Sequence, residues 1–168
     1  MIRVLIIDDS SIVRNLLTQN LSKYPDINIV GTAVDPYDAR DKIVELNPDV
    51  ITLDLEMPRM NGLEFITVLM EYHPLPIVVF SSLVDGECET SLKALELGAL
   101  EVVSKPDHDL ADTLPLIVGD LANRIRGVKD AKIQKFKTRP ETVKEVASLS
   151  NIRPAEKIIA IGSSTGGT

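Results

Sequence analysis

At 168 residues, 44% hydrophobic and with a formal net charge of −7, the chain has room for one full core and part of another. Its single cysteine, Cys88, excludes an internal disulfide, and no apolar run approaches the roughly 20 residues of a membrane-spanning helix. Met1 leads straight into a strand-like run containing a charge, without the basic segment and apolar core of a secretory signal, so a cytoplasmic protein with no membrane span is expected.

In chain order, RVLIID is a short apolar run closed by acids. SIVRNLLTQNLSKY then repeats apolar positions at Ile12, Leu16, Leu17 and Leu21 until Pro25 stops it, which predicts a strand followed by a helix. INIVGTA predicts a second strand. DPYDARDKIVELN predicts a second helix, with Asp35 as N-cap, Pro36 in the first turn, and Asn47 and Pro48 closing it. VITLD, PIVVF and LEVVS read as three more strands. GLEFITVLMEY and ECETSLKALELG are the intervening helices, the latter ended by Gly98. A last helix, TLPLIVGDLANRIRG, presents Leu114, Ile117, Val118 and Leu121 on one face, with Thr113 as its expected cap and Pro115 in its first turn. Strands and helices alternating over short links predict an α/β fold: a doubly wound, five-stranded parallel sheet with helices on both faces.

Charge divides the chain. Through residue 123 there are 8 Lys or Arg against 21 Asp or Glu, a net of −13; residues 124–157 carry 10 basic and 4 acidic side chains, a net of +6. The basic stretch has few large apolar residues and no repeat able to bury a face, so it reads as a tether. Phe136 is its only ring, and without interleaved aromatics no nucleic-acid partner is expected. The expected organisation is a first domain over 1–122, a linker over 123–156, and the truncated start of a second domain over 157–168.

The residues able to do chemistry fall at strand ends. Asp8 and Asp9 close the first strand, Asp54 the third, Ser81 and Ser82 the fourth, and Lys105 the fifth. In a parallel sheet these ends share one edge, where ligands bind. Three carboxylates meeting there call for a hard cation with oxygen ligands, such as Mg2+. Asp54, on the expected middle strand, suits covalent phosphorylation, with Lys105 supplying a cation and Ser81 a hydroxyl. Asp8 and Asp9 then orient the metal, and the backbone carbonyl of Glu56 completes its ligand set. Met57 and Met60 in the same loop are expected to pack beneath the pocket. Arg14 projects from the first helix toward either the acidic edge or a surface partner.

The final stretch, IIAIGSSTGGT, is a strand feeding a small-residue turn with Ser164 at its apex. Such a turn offers backbone N–H groups to an oxyanion and a hydroxyl to a base. No Lys follows Gly167, so it is not a P-loop. The only imidazoles, His73 and His108, lie in the first domain and read as surface residues. The base and orienting acid that Ser164 needs are therefore not in this chain, and by itself it is expected to be inactive as a hydrolase.

IDDSSIVRNLL, VITLDLEMPRMNGLEF, VVFSSL and ALELGALEVVSKP together resemble the receiver domain of bacterial two-component response regulators. With GSSTGGT after a linker, the chain looks closer still to the chemotaxis protein-glutamate methylesterases. That resemblance implies Asp54 as phospho-acceptor, Asp9 as direct Mg2+ ligand with Asp8 beside it, Lys105 as the family lysine and Ser81 as the hydroxyl switch. It implies a chemotaxis histidine kinase as phosphodonor, and a receiver that covers a methylesterase domain until phosphorylation relieves it. Ser164 would be the nucleophile acting on glutamyl methyl esters, and on glutamines, of methyl-accepting chemoreceptors. Val102 departs from the pattern, standing where many receivers carry a switch aromatic. The competing readings are a response regulator with a DNA-binding output domain, and a non-catalytic receiver that only binds proteins.

Overall fold

The computed structural model describes residues 1–82, 88–106, 110–131 and 133. Ser164 and His108 lie outside them. The five expected strands form: β1 (Ile2–Ile7), β2 (Ile27–Ala33), β3 (Val50–Leu53), β4 (Ile77–Ser81) and β5 (Glu101–Ser104). All neighbouring pairs are parallel, in the order β2-β1-β3-β4-β5. The order reverses direction between β1 and β3, and this is where the flanking loops part and leave a crevice at the carboxyl ends of the strands.

Five helices cover the sheet: α1 (Ser11–Leu21), α2 (Pro36–Leu46), α3 (Gly62–Tyr72), α4 (Cys88–Glu96) and α5 (Leu110–Val128). Because successive strand side chains alternate in direction, the sheet feeds two cores. Val4, Ile6, Val50, Val78 and Phe80 pack with Val13, Leu17 and Leu21 of α1 and Val118, Leu121 and Ile125 of α5. Leu5, Ile7, Ile51, Leu53, Ile77 and Val79 pack on the opposite face with Ala39, Ile43, Phe65, Ile66 and Met70. Central strands buried on both faces explain why they read as unbroken apolar runs.

Local signals set the helix starts. Ser10 Oγ accepts from the Val13 N–H, Asp35 Oδ1 from the N–H groups of Tyr37 and Asp38, and Asn61 Oδ1 from that of Leu63. Asn47 closes α2 in the left-handed region at φ 43°, and Gly98 follows α4 at φ 117°, a conformation that favours glycine.

On α1 the buried positions are Val13, Leu17, Asn20 and Leu21, whereas Ile12 is 65% exposed. The buried face is the one that packs with the sheet and α5. One sequence expectation is corrected. Thr113 does not cap α5, which begins at Leu110, so Pro115 lies in the second turn. A proline past the first turn keeps a helical φ, but it removes one N–H donor and crowds the carbonyl four residues back. Burial of Val118, Leu121, Ala122 and Ile125 further along outweighs it. The helix continues to Val128, so the change of charge at Arg124 falls inside an ordered element.

Among the described residues, no helix is long and apolar enough to cross a membrane.

Candidate functional site

The site grows out of three strand ends. β1 delivers Asp8 and Asp9, β3 delivers Asp54, and β5 delivers Lys105. Backbone bonds continue the sheet past its last side chains: Asp54 N–H donates to the Ile7 carbonyl at 2.9 Å, Asp8 N–H to Ala33 at 3.1 Å, and Lys105 N–H to Ser81 at 2.9 Å. Residues as far apart in sequence as Asp8 and Lys105 are thus fixed at one edge.

Lys105 Nζ sits between two carboxylates, 2.6 Å from Asp54 Oδ2 and 2.7 Å from Asp8 Oδ2. All three side chains are buried. The remaining oxygens are also held: Asp8 Oδ1 accepts from the Ser10 N–H at 2.9 Å and Asp54 Oδ1 from the Glu56 N–H at 3.2 Å. Asp9 is exposed, and its carboxylate, with those of Asp8 and Asp54, offers oxygens that all lie within 4.8 Å of one another. Phe80 closes the floor beneath the ammonium, its ring centre 5.8 Å from Nζ.

The electrostatics are unbalanced. Desolvation raises the Asp8 carboxyl above its ordinary value, the charge of Asp54 adds to this, and Lys105 only partly opposes it. Burial would lower the Lys105 ammonium, but attraction to Asp8 and hydrogen bonds to Asp54 and Asp8 outweigh it and leave it raised. The two partners shift in ways that look contradictory for an ion pair. One ammonium gains from two anions, while each anion must also face the other. With Asp9 at the rim, the site carries three carboxylates against one cation. An all-oxygen donor set of this density fits a hard divalent cation such as Mg2+.

Ser81 ends β4 and is 2% exposed, beside the edge that carries Lys105. The Glu56 side chain is exposed, and only its N–H reaches Asp54. Met57 and Met60 are partly buried against the second of the two cores. Val102 is half-buried against the same core. His73 is an exposed residue at the end of α3.

Two contacts were only partly legible in the sequence, or not at all. Arg14 does turn to the acidic edge, but it binds main chain: Nη1 donates to the Asp8 carbonyl at 2.7 Å and the Asp9 carbonyl at 2.9 Å. Arg59, in the loop after Asp54, has a positive φ of 73° and pairs at 3.0 Å with Asp35 Oδ2. That pair ties the acceptor loop to the start of α2. No local pattern signals it, because the partners are 24 residues apart.

A doubly wound 2-1-3-4-5 sheet whose carboxyl edge joins an acidic pair, a central Asp and a Lys defines the receiver class of protein. The model of the response regulator receiver domain matches residues 4–114, and the chain belongs to that family. It is a receiver of the CheB type: the response regulator domain of Thermotoga maritima CheB superposes with a TM-score of 0.72 at 36% identity, over 79% of this chain and 98% of that one. A protein-glutamate methylesterase/protein-glutamine glutaminase of Syntrophus aciditrophicus is 45% identical over 99% of this chain and 49% of its own length. One from Bdellovibrio bacteriovorus is also 45% identical, over 99% and 48%. The chain spans about half the length of the curated relatives it matches.

Proposed function

We propose that this chain is the phospho-accepting regulatory part of a cytoplasmic chemotaxis protein-glutamate methylesterase, with Asp54 as the acceptor. The observation that carries the reading is the Lys105 ammonium held between Asp54 and Asp8 at 2.6 and 2.7 Å, with Asp9 close enough to complete an oxygen cluster.

An oxygen of Asp54 attacks the phosphorus of a kinase phosphohistidine. The new O–P bond forms as the P–N bond breaks, and the imidazole leaves with the electron pair. The carboxylates of Asp8, Asp9 and Asp54 and the Glu56 carbonyl would hold Mg2+, which supplies neutralisation of the phosphoryl oxygens. Lys105, kept charged by its two carboxylates, is poised to exchange Asp54 for a phosphoryl oxygen, and Ser81 offers its hydroxyl to the same group. Val102 cannot act as an aromatic switch, so the signal is read from the surface of α4 and β5 with little movement of that side chain.

The names of the relatives support the remainder. The whole protein would hydrolyse glutamyl methyl esters and glutamine amides of methyl-accepting chemoreceptors, with Ser164 as nucleophile and the methylesterase domain held in check by the receiver. The linker between them, expected over 123–156, would begin only after α5 ends at Val128.

The test is intact-mass measurement after incubation with acetyl phosphate and Mg2+. One phosphoryl group should be gained, and it should be absent in Asp54→Asn and without Mg2+. No gain on the unmodified chain would instead favour a receiver that binds proteins without being phosphorylated.

A further inference from the structure

The acidic pair is restrained unequally. Asp8 is fixed at three points: Oδ1 by the Ser10 N–H, Oδ2 by Lys105, and its carbonyl by Arg14. Asp9 is exposed, and its carbonyl is gripped by Arg14 Nη1 at 2.9 Å. A single nitrogen of Arg14 therefore spans the peptide on both sides of Asp9 and sets the direction in which its carboxylate leaves the backbone.

We propose that Arg14 is a positioning residue for the acidic pair, holding the Asp9 carboxylate in place for a divalent cation. This rests on the reading of the pocket as a Mg2+ site and deepens it. Two effects of Arg14 on a cation oppose each other. Its charge repels a second cation, and its hydrogen bonds remove the freedom that Asp9 would otherwise lose on binding. Two observations favour the second effect. Arg14 is half-exposed, so water screens its charge. It contacts carbonyl oxygens rather than carboxylates, so it does not compete for the oxygens that a metal would take. Groups that orient metal ligands from behind generally contribute a factor of about ten or more to affinity.

Both bonds come from one nitrogen, and this makes the proposal specific. A lysine ammonium, one bond shorter than Nη1 but on a flexible stem with three donors, can still donate to the carbonyls, whereas methionine keeps the packing and donates to neither. The experiment titrates Mg2+ alone into the full chain and follows the Asp9 and Ser10 amides by NMR, with the thermal midpoint recorded for each variant. Arg14→Met should weaken binding about tenfold at a similar midpoint. Arg14→Lys, which keeps a donor, should recover part of that loss and bind more tightly than Arg14→Met. If Arg14→Met does not fold, Arg14→Gln, too short to span both carbonyls, should show the same weakening. Mg2+ binding by Arg14→Met or Arg14→Gln as tight as by the unmodified chain, or tighter, overturns the proposal, as does a lysine variant as weak as the methionine one. Asp9→Asn separates the levels. If it leaves the Mg2+ response intact, the metal reading itself falls and the role of Arg14 goes with it. If it abolishes the response while Arg14→Met does not, only the role of Arg14 fails.

Discussion

Lys105 and Asp54, 51 residues apart in the chain, meet in a buried contact of 2.6 Å between Nζ and Oδ2. The same ammonium reaches Asp8, so its removal would leave two buried carboxylates without a counter-charge. Leaving a buried charge unpaired costs about 1–3 kcal/mol or more.

We expect Lys105→Met to lose about 1–3 kcal/mol at neutral pH in metal-free buffer. The Asp8 carboxyl is already raised in the folded chain. Its contribution is therefore most favourable below the unfolded value of 3.8 and is lost as pH rises through the folded one. The deficit of the variant should accordingly shrink on acidification, and also on adding Mg2+. Urea unfolding at two pH values, with and without chelator, measures both; a deficit that ignores pH and metal would mean that Lys105 acts through packing alone.

Gly62 opens α3 directly beneath the acceptor loop. A Cβ there would lie 2.6 Å from Leu55 Cα and 2.7 Å from the Asp54 carbonyl, both backbone atoms that cannot swing aside. Gly62→Ala should cost about 1–3 kcal/mol and slow labelling of Asp54 by acetyl phosphate. Unchanged stability and rate together would show that the loop has slack.

Thr52 lies on β3 between Ile6 and Val78, is 1% exposed, and has a hydroxyl with no hydrogen-bond partner among the described residues. Its cross-strand neighbours are aliphatic, so the hydroxyl is desolvated without return. Thr52→Val should stabilise the chain by about 1 kcal/mol, read as a higher urea midpoint at unchanged slope. A destabilised variant would point to an internal partner for the hydroxyl.

Arg126 clamps α5 to the turn before β2, contacting both oxygens of Asp26 at 2.7 and 2.9 Å and stacking over Tyr24. The hydrogen bonds from Arg126 are the main reason the Asp26 carboxyl is lowered from 3.8 to about 2. A lowered folded value stabilises above the unfolded one, and that contribution is lost as pH falls from 3.8 through about 2. Asp26→Asn should flatten the acid limb of the stability profile in that window. Because the pair is partly exposed, the difference should narrow in high salt.

Much of this was present in the linear order of residues. Unbroken apolar strands, Asp35 and Pro36 at the start of α2, and Gly62 at the start of α3 follow from local chemistry, so they could be placed without any knowledge of contacts. The crevice was also legible, because in a parallel sheet every carboxyl end faces one way. Asp8, Asp9, Asp54 and Lys105 had to converge if the strands formed. Tertiary structure decided the rest. Which side of α1 turns inward depended on α5, so Val13 and not Ile12 is buried. The start of α5 before Thr113 depended on burial further along the helix, which outweighs proline's missing donor. The grip of Arg14 on the Asp9 carbonyl and the Arg59–Asp35 pair join atoms whose approach no sequence spacing encodes. Backbone periodicity is a local property and can be read along the chain, whereas the pairing of long charged side chains depends on distances that exist only after the sheet has closed.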